Sequence, residues 1–242
     1  MDVEERPWWI LVGGRRRLGR HVAEQLAASC SLVLTSGDSW ADDSQWIKDL
    51  ASTTQVRTLT WNAEDPLLVP TMMADVASLH ADGVRFRSAV VLASDFPLQP
   101  FGTWQSEALA ALWRINLTFP LLVAQAVVPA MASGGCLQWV LDTCIHQPFL
   151  QRLPYCVSRS GLATLVPGLA RALAPELRVV GHALGTLLPA EGSDPEALAA
   201  GTLLRRLGEP EDLVRALRYA SEAQHLTGEI LTLDGGARWR RP

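Results

Sequence analysis

The chain has 242 residues, is 48% hydrophobic and carries a formal charge of −4, which supplies a full core and no global positive field for nucleic acid. Its length suits one α/β domain over residues 1–242 better than two. Cys30, Cys136, Cys144 and Cys156 show neither C-x-x-C pairing nor metal spacing, and no signal peptide precedes the first apolar run, so the expectation is a reduced, cytoplasmic protein without a metal.

Short apolar runs alternate with helical periodicity along the chain. Strands are predicted at Trp8–Val12, Ser31–Thr35, Val56–Trp61, Ser88–Ala93, Leu137–Asp142, Val179–Leu184 and Ile230–Leu233. Helices are predicted at Leu18–Ser29, Pro66–Asp82, Trp104–Met131, Leu153–Leu173 and Glu209–Glu222. This alternation implies a Rossmann-type, doubly wound α/β fold, a parallel sheet of about seven strands with helices on both faces. The uncharged stretch Ile115–Leu141 has membrane-like composition, but Pro120, Pro129, Gly134 and Gly135 divide it into helix, turn and strand, which favours a buried helix and no membrane. Pro189–Gly201 reads as a mobile loop, either a lid over the strand ends or an ordinary connection.

The first strand runs directly into Val12-Gly13-Gly14-Arg15-Arg16-Arg17-Leu18-Gly19 and then a helix, the order in which backbone N–H groups reach a pyrophosphate. Guanidinium groups bind phosphate oxygens bidentately, so the arginines strengthen that reading. The second strand ends in Thr35, Ser36 and Gly37 without the carboxylate that would grip a ribose 2′-hydroxyl, which favours NADPH over NADH; Asp38 lies just beyond. Further on, Tyr155 and Arg159 stand four apart on one helix face, with Asp142 thirteen residues upstream. A fixed cation beside a tyrosine favours phenolate and lowers its pKa from about 10. Taken alone, the Tyr-x-x-x-Arg pair also fits an exposed helix, and an aspartate at a strand end also fits a turn cap.

Taken together these motifs resemble the short-chain dehydrogenase/reductase family, over a span from Trp9 to Gly236. The family's Thr-Gly-x-x-x-Gly-x-Gly turn takes here a form with Arg17 at the middle glycine position, a variant typical of pteridine and dihydromonapterin reductases. The resemblance implies a catalytic set of Tyr155, Asn116, Arg159 in place of lysine and Asp142 in place of serine, the aspartate again being the pteridine reductase pattern. Arg206-Leu207-Gly208-Glu209-Pro210 and Leu233-Asp234-Gly235-Gly236 resemble the family's last helix start and last strand. It further implies NADPH contacts from Gly13, Arg15, Arg16, Arg17, Leu18, Gly19, Thr35, Ser36, Asn62, Ala93, Ser94, Tyr155, Arg159 and Gly185. Leu92-Ala93-Ser94-Asp95-Phe96 resembles the stretch that lines the pterin in such members, which gives a substrate set of Arg17, Ser94, Phe96, Asp142 and Tyr155. Phe96 would stack on a flat heteroaromatic ring, its alternative being a core aromatic.

The activity implied is NADPH-dependent reduction of a dihydropterin of the dihydrobiopterin, dihydromonapterin or dihydrofolate class. Val91 and Leu92 in place of asparagines, Arg159 in place of lysine, and Leu184-Gly185 in place of Pro-Gly depart from the family pattern. They leave open a weakly active or inactive NADP(H)-binding regulator, and a carbonyl or 3-oxoacyl reductase is the third reading. The expected partner is a small molecule, and apolar faces on the helices from Trp104 and Leu153 suit a homodimer or homotetramer.

Overall fold

The computed structural model describes residues 3–189 and 192–239. Strands β1 (Trp8–Val12), β2 (Ser31–Ser36), β3 (Val56–Thr60), β4 (Phe86–Val91), β5 (Met131–Asp142), β6 (Leu177–Leu184) and β7 (Ile230–Leu233) form one parallel sheet in the order β3-β2-β1-β4-β5-β6-β7. The order reverses between β1 and β4, and such a switch opens a crevice at the strand carboxyl ends. β2 and β6 are buried at every position because both faces are covered, whereas the edge strands β3 and β7 are half-exposed.

The period-two alternation of β1 assigns the two layers. Trp9 and Leu11 face helices α1 (Arg17–Leu26), α2 (Ser44–Ala51) and α8 (Pro210–Glu222), where they meet Val22, Trp46, Leu50 and Leu213. Ile10 and Val12 face the layer of α3 (Leu68–Ala81), α5 (Phe119–Val127) and α6 (Leu153–Leu173), among Met72, Val123 and Val166. A short α7 (Pro195–Ala200) stands between β6 and α8. At the far end of the sheet, Arg178 donates to the carbonyls of Ser221 (2.8 Å) and Ala223 (3.1 Å), and Arg87 to that of Ser221 (2.9 Å), so two cations fix the carboxyl end of α8.

Several expected boundaries shift for physical reasons. The single helix expected over Trp104–Met131 is α4 (Ser106–Trp113), a π-helical turn (Arg114–Thr118), α5 and a 3-10 turn (Val128–Ala130). Pro120 has no N–H for the carbonyl of Asn116 four residues back, and the wider turn accommodates that gap. The run Ser106–Ala130 is long and apolar enough by composition to cross a bilayer, yet Phe119, Val123, Ala126 and Val127 are in the core. The fourth strand stops at Val91, because Leu92 and Ala93 both donate to the Val12 carbonyl, at 2.8 and 3.0 Å. The loop expected over Pro189–Gly201 contains α7, whose amino end is capped by Asp194 and preset by Pro195; Ala190 and Glu191 lie outside the described residues. Helix α2 was not anticipated, although buried Trp46 and Leu50 stand four apart on it.

A polar row crosses the sheet beneath α8. Gln138 Nε2 donates to Ser88 Oγ (3.1 Å) and to the Leu217 carbonyl (3.2 Å), so its Oε1 accepts from His182 Nε2 at 2.8 Å. Burial holds His182 neutral and pushes its pKa down to about 3. The unfolded chain instead titrates this histidine near 6.5, so stability is complete above that value and is lost as pH falls toward the folded value, at about 1.4 kcal/mol per unit. Urea unfolding of wild type and His182→Gln at about pH 7 and 4.5 should show wild type losing roughly 2–3 kcal/mol more than the variant. Equal losses would mean that this histidine is not held neutral.

Candidate active site

A cleft of about 1970 Å³ opens at the carboxyl ends of the central strands. At one end, Gly13 takes φ +88°, and a Cβ there would lie 2.8 Å from the Ala93 nitrogen. A Cβ on Gly19 would lie 2.1 Å from the Gly13 carbonyl oxygen, so the turn closes on α1 only with glycine there. The first turn of α1 contains no acidic residue and Arg16 gives it no side-chain cap, which leaves its N–H groups for an anion. Arg17 has φ +47°, the left-handed conformation that suits the family's glycine, at a cost of order 1 kcal/mol. Its Nη2 lies 3.5 Å from the Leu188 carbonyl across the cleft.

One expected cofactor contact, Thr35, is corrected here. Arg15, expected to bind phosphate, lines the cleft but is buried and forms ion pairs with Asp43, Asp42 (3.9 Å) and Asp38 (3.5 Å). Exposed Arg16 also pairs with Asp38, at 3.4 Å, so the aspartates of the β2–α2 connection balance much of the arginine cluster. Thr35 is buried outside the cleft lining and serves the turn through its carbonyl, which accepts from Gly13 and Gly14 at 3.2 and 3.1 Å. Gly13, Arg15, Arg16, Arg17, Leu18, Gly19, Ser36, Asn62, Ala93, Ser94 and Gly185 all line the cleft, and a Cβ on Gly185 would lie 2.9 Å from Asp234 Cα.

Where β5 ends and α6 begins, Asp142 and Tyr155 meet. The tyrosine hydroxyl donates to Asp142 Oδ2 at 3.1 Å, and the Cys144 N–H donates to Oδ1 at 2.8 Å. Burial raises the Asp142 pKa above the ordinary carboxylate range, against the downward pull of the Cys144 and Tyr155 hydrogen bonds and the Arg159 charge. Burial also raises that of Tyr155; Arg159 opposes this and Asp142 adds to it. The expectation that Arg159 lowers the tyrosine is therefore corrected: its pull is real but smaller than desolvation. Arg159 is 3% exposed, with Cζ 5.2 Å from the Tyr155 ring centroid, and its Nε has no hydrogen-bond partner among the described residues.

Asn116 stands behind this group rather than in the cleft lining. It accepts from the Asp95 N–H (2.8 Å) and donates to the Asp95 carbonyl (2.7 Å), which fixes the Ser94–Phe96 segment. Phe96 packs edge-on to Tyr155, with centroids 4.6 Å apart, and also contacts Phe149 at 6.2 Å. The open stacking platform expected of Phe96 is corrected in part, because Arg152 lies over one face with Cζ 3.8 Å from the centroid. Arg152, Phe149 and Arg238 were missed by sequence reasoning; an arginine two residues before Pro154, at the start of α6, was the available signal for Arg152.

The glycine turn, the uncapped helix end and the buried guanidinium with an unpartnered Nε together fit a dinucleotide laid across the strand ends. The chain belongs to the short-chain dehydrogenase/reductase family: the family model described as enoyl-(acyl carrier protein) reductase matches residues 13–238. Members are oxidoreductases that use a nicotinamide cofactor. The chain is 28% identical to a protein named ketoacyl reductase 2 of the granaticin polyketide synthase, from Streptomyces violaceoruber, over 98% of each chain. It is 22% identical to dihydromonapterin reductase from Klebsiella pneumoniae, over 97% of this chain and 98% of that one. The crystal structure of a 3-oxoacyl-(acyl-carrier protein) reductase from Brucella melitensis superposes with a TM-score of 0.85 at 26% identity, over 98% of this chain and 99% of that one.

Replacing Arg17 with glycine separates backbone strain from ligand contact. Arg17→Gly should leave thermal stability unchanged or raise it by up to about 1 kcal/mol, while NADPH affinity in a fluorescence titration falls roughly tenfold. A destabilised variant with unchanged affinity would assign the arginine a structural role instead.

Proposed function

We propose that the protein is an NADPH-dependent reductase of the C=N bond in a dihydropterin-type heterocycle. The observation that carries this reading is the half-buried Asp142 carboxyl, hydrogen-bonded to the Tyr155 hydroxyl at 3.1 Å, with its pKa raised by desolvation. A ring nitrogen must gain a proton as the neighbouring carbon is reduced, and a carboxyl whose pKa is raised by desolvation holds a proton to supply at higher pH than an ordinary aspartate. A ketone oxygen needs only the tyrosine and a neutral hydroxyl, the arrangement that serine gives elsewhere in the family.

The bound nicotinamide cofactor supplies the hydride. Asp142 transfers its proton to the substrate nitrogen and regains one from solvent once product leaves, while the Tyr155 hydroxyl keeps the carboxyl oriented along their shared hydrogen bond. Arg159, with no carboxylate in ion-pair range among the described residues, favours the carboxylate that Asp142 becomes on giving up its proton and offers its N–H groups to the nicotinamide ribose. Ser94 and the uncovered face of Phe96 orient the heterocycle, and Asn116 holds the segment that carries both. Ser36 and Gly37 at the tip of β2, with Arg16 beside them, support NADPH as the preferred form. Exposed Trp113 and Val157 on the α4–α6 side support pairing of copies into a homodimer or homotetramer.

A second reading, reduction of a 3-oxoacyl or other carbonyl group, is favoured by the full-length similarity to reductases named for that chemistry and by the guanidinium on Phe96. Absorbance-followed NADPH oxidation with dihydrobiopterin or dihydromonapterin, run beside a 3-oxoacyl thioester, separates the two. Pterin turnover should fall by at least about 100-fold in Asp142→Ser and decline in wild type as pH rises through the elevated carboxyl pKa. Turnover of the thioester alone would replace the first reading with the second; tight NADPH binding without any turnover would leave the regulatory role.

The same shift sets a stability trade. Folding favours the protonated acid, so Asp142 destabilises the fold increasingly as pH rises above the unfolded value of about 3.9. Asp142→Asn should therefore unfold at a higher temperature than wild type at neutral pH while losing pterin turnover; a lower Tm would contradict the desolvation account.

A further inference from the structure

The substrate end of the cleft carries positive charge that no neighbouring side chain neutralises among the described residues. Half-buried Arg152 lies across Phe96 and donates through Nη1 to the Phe96 carbonyl. Half-buried Arg238, on the turn after β7, has Nη1 3.3 Å from His146 Nε2, and its Nε finds no partner among the described residues. His146 also lies 3.2 Å from Thr232 of β7 and belongs to the same β5–α6 connection as Arg152. That connection thus carries one guanidinium and contacts the other, and both line the cleft.

The nearby carboxylates are engaged elsewhere. Asp95 accepts from the Phe96 N–H (2.8 Å), and Asp234 accepts from the N–H groups of Gly236 (2.9 Å) and Arg238 (3.1 Å). Asp142 is held by Tyr155 and Cys144. Among the described residues, no carboxylate lies within ion-pair range of Arg152 or Arg238. A half-buried guanidinium gives up hydration without a compensating charge, and its planar fork matches a carboxylate or a phosphate.

We infer that the substrate bears an anionic substituent, a carboxylate or a phosphate ester, which Arg152 and Arg238 bind where it leaves the cleft. This rests on the pterin reading: the ring sits at Tyr155 and Asp142, and the charged tail runs outward past Phe96. A neutral hydroxyalkyl tail would leave both guanidiniums unmatched.

The test is kcat/KM with NADPH for dihydropterins bearing three tails: a neutral hydroxyalkyl chain, its phosphate ester, and a p-aminobenzoyl glutamate. At least one anionic form should exceed the neutral one by tenfold or more, about 1.4 kcal/mol, and the advantage should shrink as salt rises. Which anion gains identifies the source of the charge. Arg152→Gln and Arg238→Gln should each lower the anionic-to-neutral ratio by about fivefold or more, chiefly through KM, with the lysine variants restoring part of it. Equal rates for all three tails, with pterin turnover intact, would overturn this inference and leave the reductase reading standing. Absence of turnover for every pterin, with a 3-oxoacyl thioester reduced, would overturn the underlying reading and this inference with it.

Discussion

The hydrogen bond between Tyr155 and Asp142 is the contact around which the rest of this site is arranged. It joins the last residue of β5 to the first turn of α6, and it exists only because the sheet delivers Asp142 to the cleft as the chain turns into the Thr143–Ile145 segment. Desolvation works against two ionised groups at that spot, while the Cys144 N–H and the Arg159 guanidinium work for them. Burial is the larger effect on both side chains, so the pair is biased toward holding protons, the state a reductase needs as it begins to protonate its substrate.

Charge around this pair is distributed unevenly along the cleft. At the glycine-turn end, Arg15 and Arg16 are matched by Asp38, Asp42 and Asp43, so the cluster is an ion-pair network before it is a phosphate site. Arg17, held in a left-handed conformation, lines the cleft without such a partner among the described residues and reaches toward the β6–α7 connection. Arg159, Arg152 and Arg238 continue this unmatched positive lining toward the substrate end. An interior of this kind selects for ligands rich in negative charge.

Much of this could be read from the sequence, because some features are encoded locally. Apolar runs buried on both faces, glycines that must admit close backbone approach, and the offset from Asp142 to Tyr155 are properties of short segments, and each lies where the pattern placed it. What escaped depends on groups distant in sequence. The pairing of Arg15 with Asp43 spans 28 residues, and the placement of Arg152 on Phe96 spans 56. The inward turn of Asn116 toward Asp95 follows from a π-helical turn that Pro120 favours but does not dictate. The net direction of the tyrosine shift depends on burial depth, which periodicity does not report.

The central claim is that Asp142 keeps its proton above the pH at which an aspartate ordinarily loses it. Isotope-edited infrared spectroscopy of the Asp142 carboxyl, with Asp142→Asn as the blank and pH taken from about 4 to 8, measures this directly. The account predicts a protonated-carboxyl band that persists above the ordinary value of about 3.9. Complete conversion to carboxylate at that ordinary value would contradict it.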